Sequence, residues 1–151
     1  MKKVATCILG LFVGLFLALV IFYISIVVQN DNCAAEVEKK LLAIPLPEKT
    51  ECVDSVSEAG KLIGNGNGMQ YFGAILLKSE LSLDDLQAHY EKYKDEFGWV
   101  AVQEQKGHTI MDGGQSVASF DAPMSADAKY YVVYDWGDGD VKFGDLDIRG
   151  H

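Results

Sequence analysis

The pattern of apolar and polar positions divides the chain at about residue 30. From Val4 to Val28 the sequence carries no charge, and only Thr6, Gly10, Gly14 and Ser25 stand outside the strongly apolar set. Coiled as a helix, such a run rises about 37 Å at ~1.5 Å per residue, against a hydrocarbon layer of roughly 30 Å. The pattern predicts a membrane-spanning helix through residues 4–28. A cleavable signal peptide has an apolar core of only about 7–15 residues and ends at a small-x-small site. Ile26-Val27-Val28-Gln29-Asn30 offers no such site, and Cys33 follows Asn-Asp-Asn rather than a lipid-attachment box. The expected anchor is therefore an uncleaved signal anchor. Lys2 and Lys3 directly before it favour a cytoplasmic N-terminus and an extracytoplasmic C-terminal domain. Lys39 and Lys40 lie farther from the span on the other side, among Asp31, Glu36 and Glu38.

Beyond the anchor the periodicities are shorter. Gln29-Asn30-Asp31-Asn32 reads as a helix break, with Asn32 capping a second, short helix that places Ala34, Val37, Leu41 and Ile44 on one face. Pro45 and Pro47 stop it. Thr50–Ile63 and Met69–Leu77 read as strands joined by Gly64-Asn65-Gly66-Asn67-Gly68, an economical hairpin. A helix is expected over Leu83–Phe97, with Ser82 as N-cap, Asp85 completing a capping box, and Leu81 and Leu86 stapling the cap. Leu86, Tyr90, Tyr93 and Phe97 make its buried stripe, and Gly98 ends it. Strands follow over Trp99–Gln103, Gln115–Phe120 and Lys129–Trp136, and Asp138-Gly139 is expected to turn a last hairpin into Val141–Ile148. The resulting class is α+β: an N-terminal transmembrane helix, then one small domain whose antiparallel sheet packs against one amphipathic helix. The divisions are residues 1–30 (anchor), 31–49 (juxtamembrane helix and Pro-containing linker) and 50–151 (domain).

Composition sharpens the class of partner. The 151 residues carry a formal net charge of −9, but residues 31–151 hold 11 basic and 22 acidic side chains, a net of −11. A nucleic-acid partner is excluded on that ground, because such modules need a basic face. Inside the span, Gly10, Gly14 and Ala18 recur every four residues on one face. A close helix–helix approach needs such a face, so these residues are the candidate packing surface for a homodimer or a protein partner.

Candidate chemistry is sparse. The glycine run enters an apolar strand rather than a helix N-terminus and lacks a Lys-Ser/Thr pair, so it is not a phosphate loop. The three histidines are His89, His108 and His151, with no His-x-x-x-His or Cys-x-x-Cys spacing to hold zinc. No Gly-x-Ser-x-Gly elbow marks a nucleophile. No catalytic, cofactor-binding or metal-ligating residue is assigned. Asp135, Asp138, Asp140, Asp145 and Asp147 crowd the C-terminal end, but their spacing does not fit an EF-hand. They are expected on a solvated hairpin, with Asp145 and Asp147 on its outer face. Cys33 and Cys52 are the two cysteines outside the span, and in an oxidising compartment they are the candidate disulfide.

Ile44-Pro45-Leu46-Pro47, the Tyr71–Leu77 strand, Leu81-Ser82-Leu83-Asp84-Asp85-Leu86, Tyr90 and Gly98-Trp99 together resemble small extracytoplasmic domains of bacterial anchored envelope proteins and lipoproteins, mostly uncharacterised. The resemblance covers residues 44–105. It implies a bacterial cell-envelope location and an α+β fold, and it brings no catalytic residue. The function expected is a membrane-anchored, non-catalytic binding or accessory module. The alternatives are an envelope enzyme whose site only the fold assembles and, as a minor reading, a pilin-like structural subunit. A helix break at residues 29–32 and the lack of an acid near the start of the span weigh against the last.

Overall fold

The computed structural model describes residues 2–64 and 68–149, with side chains from residue 7 onward. The centre of the glycine-asparagine loop and His151 lie outside them. The first element is one unbroken helix, α1 (Lys2–Ala43), and this corrects the expected break at residues 29–32. Ile26, Asn30, Ala34, Val37, Leu41 and Ile44 are all buried. Their spacings of three and four residues form a single stripe that runs through the polar stretch without losing phase. Asparagine costs a helix interior only about 0.5–0.7 kcal/mol relative to alanine. Packing along the stripe overrides that preference. Asn32 is therefore a mid-helix residue rather than a cap, and the stretch expected as a linker helix belongs to the domain core.

After α1 come β1 (Thr50–Gly60), β2 (Gln70–Ser79), α2 (Leu83–Glu91), α3 (Lys94–Phe97), β3 (Ala101–Glu104), β4 (Thr109–Asp112), β5 (Gln115–Ser119) and β6 (Tyr130–Gly137). The main sheet has the order β1-β2-β6-β3 and is antiparallel throughout. The β1–β2 hairpin is as the sequence suggests. β4 and β5 form a separate two-stranded hairpin.

β2 sits at the centre of this arrangement because both its faces are apolar, as expected of a strand buried on both sides. Phe72, Ala74 and Leu76 face the β4–β5 hairpin, where Ile110, Val117 and Phe120 meet Val132 and Tyr134 of β6. Ile75 and Leu77 face the opposite layer, in one cluster with Leu41 and Ile44 of α1, Leu86 and Tyr90 of α2, and Tyr131 and Val133 of β6. The sheet thus packs on α1 as well as on the amphipathic helix. α1 crosses it over two glycines. A Cβ added at Gly73 would lie 2.5 Å from the Glu38 amide nitrogen, and one at Gly137 would lie 2.5 Å from Val37 Cγ2.

Two further expectations are corrected. The Leu83–Phe97 helix is divided: the Lys92 and Tyr93 amides bond to the carbonyls of His89 and Tyr90, three residues back, and the tightened turn separates α2 from α3. The stripe survives, since Tyr93 and Phe97 still pack on the same cluster as Leu86. The capping box is formed as anticipated, with Ser82 Oγ accepting from the Asp85 amide and Asp85 accepting from the Ser82 amide. At the C-terminal end no strand forms over residues 141–148. The segment instead makes a short 3-10 turn, Gly144–Leu146, lying against α1.

Candidate functional site

The feature that sequence reasoning missed most completely is a polar clasp that fastens the C-terminal segment to α1. Asp147, expected on a solvated face, is 0% exposed. Its carboxylate accepts from Asn30 Nδ2 at 3.0 Å, from Arg149 Nη2 at 2.7 Å and from Arg149 Nε at 3.0 Å. Asn30 also donates to the Gly144 carbonyl and accepts from the Tyr71 hydroxyl, both groups coming from elements distant in sequence. Arg149, the chain's one arginine, then bridges to Asp31 at 2.7 Å. Every member is satisfied, which is what makes a buried polar cluster tolerable. Hydrogen bonding from Arg149, with Asn30 behind it and against the opposing effect of burial, lowers the Asp147 pKa to about 2. The signal available in the sequence was a lone arginine two residues after an aspartate, together with an asparagine in phase with an apolar stripe.

Asp145 does not share a face with Asp147. It accepts from the Met69 amide at 2.7 Å and holds the end of the β1–β2 loop. Asp54 works in the same manner. Burial raises its pKa, but the amides of Ala122, Asp121 and Ser55 outweigh this and lower it overall. These carboxylates fasten loops to strands. No group of three or more His, Cys, Asp or Glu side chains converges as a metal site among the described residues.

The remaining candidates stay apart. His89 Nε2 is 2.7 Å from the Pro45 carbonyl and His108 Nδ1 is 3.1 Å from that of Phe120, so each imidazole ties two chain segments together. Cys33 and Cys52 are free thiols. The disulfide considered from sequence is not formed, for a geometric reason. Cys33 packs beside Ala34 and Ala59, whereas Cys52 packs in the cluster of Leu41 and Ile44. Eight helical residues between Cys33 and Leu41 amount to about 12 Å, and a bridge requires Cα atoms within roughly 7 Å. Gly10, Gly14 and Ala18 are exposed on the apolar half of α1, and a Cβ at either glycine would meet nothing within 4 Å.

Several open grooves mark the described surface, among them one at the β1–β2 end and one between α2 and β3. The first, about 700 Å³, is lined by Lys49, Glu51, Lys78, Glu80, Asp127 and Lys129. Its charges are largely matched, with Lys78 paired to Glu51 and Lys49 to Glu80. The second, about 430 Å³, has Gln87, Glu91, Lys94, Trp99, Gln103 and Tyr134 on its walls. Gly98, at φ 84°, turns the chain out of α3 and delivers Trp99 to the rim, where the indole is 64% exposed. Gln87 Nε2 donates to the Val102 carbonyl, so the helix side chain covers part of the β3 edge. The groove combines an aromatic platform, amides and one matched ion pair, Lys94–Glu91. That lining suits noncovalent recognition and assembles no nucleophile with its base.

No protein-family model, no curated protein and no solved structure matches this chain. The class is defined by the fold itself: an α+β domain built on a helix long and apolar enough to cross a membrane.

Proposed function

We propose that the chain is a single-pass, membrane-anchored binding or accessory module of the bacterial envelope, with its domain extracytoplasmic and no chemistry of its own. The observation that carries this reading is the change in α1 at residues 24–26. Large apolar side chains from Ile8 to Ile24 are exposed, and from Ile26 onward the inward stripe is buried in the domain. The anchor and the domain scaffold are one rigid element, a construction suited to holding a binding surface at a set height above a membrane. Lys2 and Lys3 support the orientation. The likeness of residues 44–105 to small envelope domains supports the location. The binding surface proposed is the Trp99 groove, because a large exposed indole beside amides is the surface feature most suited to recognition.

The test is made on full-length protein. Protease added to spheroplasts should remove the domain and leave a membrane-embedded N-terminal fragment. A partner purified with the detergent-solubilised protein from its host should be lost with Trp99→Ala while the melting temperature is unchanged. Protection of the domain from external protease overturns the orientation, and retention of the partner by Trp99→Ala overturns the surface.

A second reading is favoured by one observation. An unbroken helix with an exposed apolar first half and a second half packed on an antiparallel sheet is the architecture of a pilin-like subunit, and the expected helix break that weighed against it is not there. In that reading the Gly10/Gly14/Ala18 face packs against other copies in a filament. Cross-linking in intact cells that yields a ladder of multimers, abolished by Gly14→Leu, would establish it over the solitary module.

A further inference from the structure

Three apolar side chains of the C-terminal segment stand out in a domain whose other large hydrophobics are mostly covered: Phe143 is 54% exposed, Leu146 53% and Ile148 69%. Their position along α1 is known from the contacts of the same segment. The Phe143 ring meets Phe22 edge-on at 5.9 Å. Arg149 Nη2 lies 3.5 Å from the Val27 carbonyl and Arg149 Nη1 pairs with Asp31. The segment therefore lies alongside residues 22–31, the stretch over which α1 passes from its exposed apolar half into the domain.

From Val4 to Ile24 the helix rises about 31 Å, which matches a hydrocarbon layer of roughly 30 Å. On that scale Phe22 lies about 3 Å inside the hydrocarbon boundary and Asn30 about 9 Å outside it. Phe143 is thus at the depth of the outermost acyl carbons, and the Asn30–Asp147–Arg149 clasp is in or just above the headgroup layer. The backbone presents Phe143 there with a left-handed φ of 66°, a conformation a non-glycine residue keeps only when its surroundings hold it. Lys142 Nζ sits 5.4 Å from the Phe143 ring, placed to put an ammonium group at phosphate level while its stem covers apolar surface. The acids of the segment are engaged with the protein, Asp145 on the Met69 amide and Asp147 within the clasp.

We propose that residues 141–149 form a membrane-seated foot, with Phe143, Leu146 and Ile148 inserted into the interfacial layer of a glycerophospholipid bilayer beside α1. The domain then touches the membrane at two places, the helix and the foot, and its tilt relative to the bilayer is fixed. This rests on the anchoring reading, and the experiment separates the two.

Full-length protein is reconstituted at one chain per nanodisc, and tryptophan probes are read as difference spectra against the parent protein, which retains Trp99 and Trp136. Leu15→Trp tests the anchor, and Phe143→Trp and Ile148→Trp test the foot. The introduced indoles at 143 and 148 should emit blue-shifted and lose intensity to phosphatidylcholine brominated near the headgroup. The indole at position 15 should lose intensity to lipid brominated near the chain ends. Quenching at 15 with water-exposed, unquenched emission at both 143 and 148 overturns the foot and leaves the anchor standing. No quenching at 15 overturns the anchor and the foot with it. A blue shift at 143 and 148 that appears only with two or more chains per disc assigns the patch to a second copy and also overturns the proposal.

Discussion

The crossing of α1 over β2 gives a sharp test of the fold, because it converts one methyl group into a backbone collision. In Gly73→Ala the new Cβ would sit 2.5 Å from the Glu38 nitrogen and 2.9 Å from both the Val37 carbonyl carbon and Val37 Cγ1. Two of these three atoms are backbone, so no rotamer change relieves the contact. The helix must lift by about 1 Å or β2 must bend away, and either loosens the Ile75–Leu77 layer beneath. Overpacking of this kind costs about 1–3 kcal/mol. The offset from replacing a strand glycine with alanine is about 0.5–1 kcal/mol. With a backbone neighbour the upper part of the range applies, so a net loss of about 2 kcal/mol is expected. For a domain of this size each kcal/mol shifts the midpoint by roughly 3–6 °C, which predicts a fall of about 6–12 °C.

Gly137→Ala is the informative companion. Its Cβ meets Val37 Cγ2 at 2.5 Å, and the next atom, Tyr71 Cβ, is 3.5 Å away. Removing the Val37 methyls should therefore rescue Gly137→Ala substantially and Gly73→Ala hardly at all, a coupling that a double-mutant cycle reads directly. The assay is near-ultraviolet circular dichroism of the full-length protein in detergent, melted alongside Gly10→Ala, whose added methyl meets nothing. An unchanged midpoint in Gly73→Ala would mean that α1 does not lie on the sheet and that residues 31–49 are the separate linker suggested by the sequence.

Other outcomes follow from single contacts. The folded pKa of Asp147, about 2, is below its ordinary value of 3.8, so its contribution is fully present above pH ~4 and is lost as pH falls through about 2. With a discount for the partly exposed Arg149, it amounts to about 1–2 kcal/mol. The melting difference between the parent and Asp147→Asn should accordingly narrow as pH falls from 4 to 2, and a constant difference would refute the charge-based account. The Tyr90 hydroxyl is buried without a hydrogen-bond partner among the described residues, so Tyr90→Phe should leave stability unchanged or raise it by up to ~1 kcal/mol in chemical denaturation. Ser82→Ala removes the hydroxyl half of the capping box, leaving the bond from the residue 82 amide to Asp85, and should cost about 1 kcal/mol in the same measurement. Cys33 and Cys52 should both alkylate without reductant in denaturant, and in the native protein Cys52 should react slowly, because burial raises its thiol pKa.

The elements that could be read from sequence are those whose signal is local. The Ser82–Asp85 box lies within four residues, β2 announces itself as the uncharged, largely apolar run Tyr71–Leu77, and the apolar span needs only a count. Missed features depend on partners far apart in the chain. Asn30 looks like a helix breaker until Tyr71, Gly144 and Asp147 are known to surround it. Val141–Ile148 alternates apolar and polar residues on either side of Gly144, yet a strand needs a neighbour, and both edges of β6 are already taken by β2 and β3. The segment is left to find another surface, and Arg149 and Asp147 supply one on α1. The two errors are therefore linked. A helix that stopped at residue 29 would give the C-terminal segment nothing to clasp, and a C-terminal hairpin would leave the buried Asn30 Nδ2 without the Gly144 and Asp147 acceptors. The apolar stripe that continues in phase from Ile26 to Ile44 resolves both, and it was present in the sequence, divided by an assumption about four polar residues.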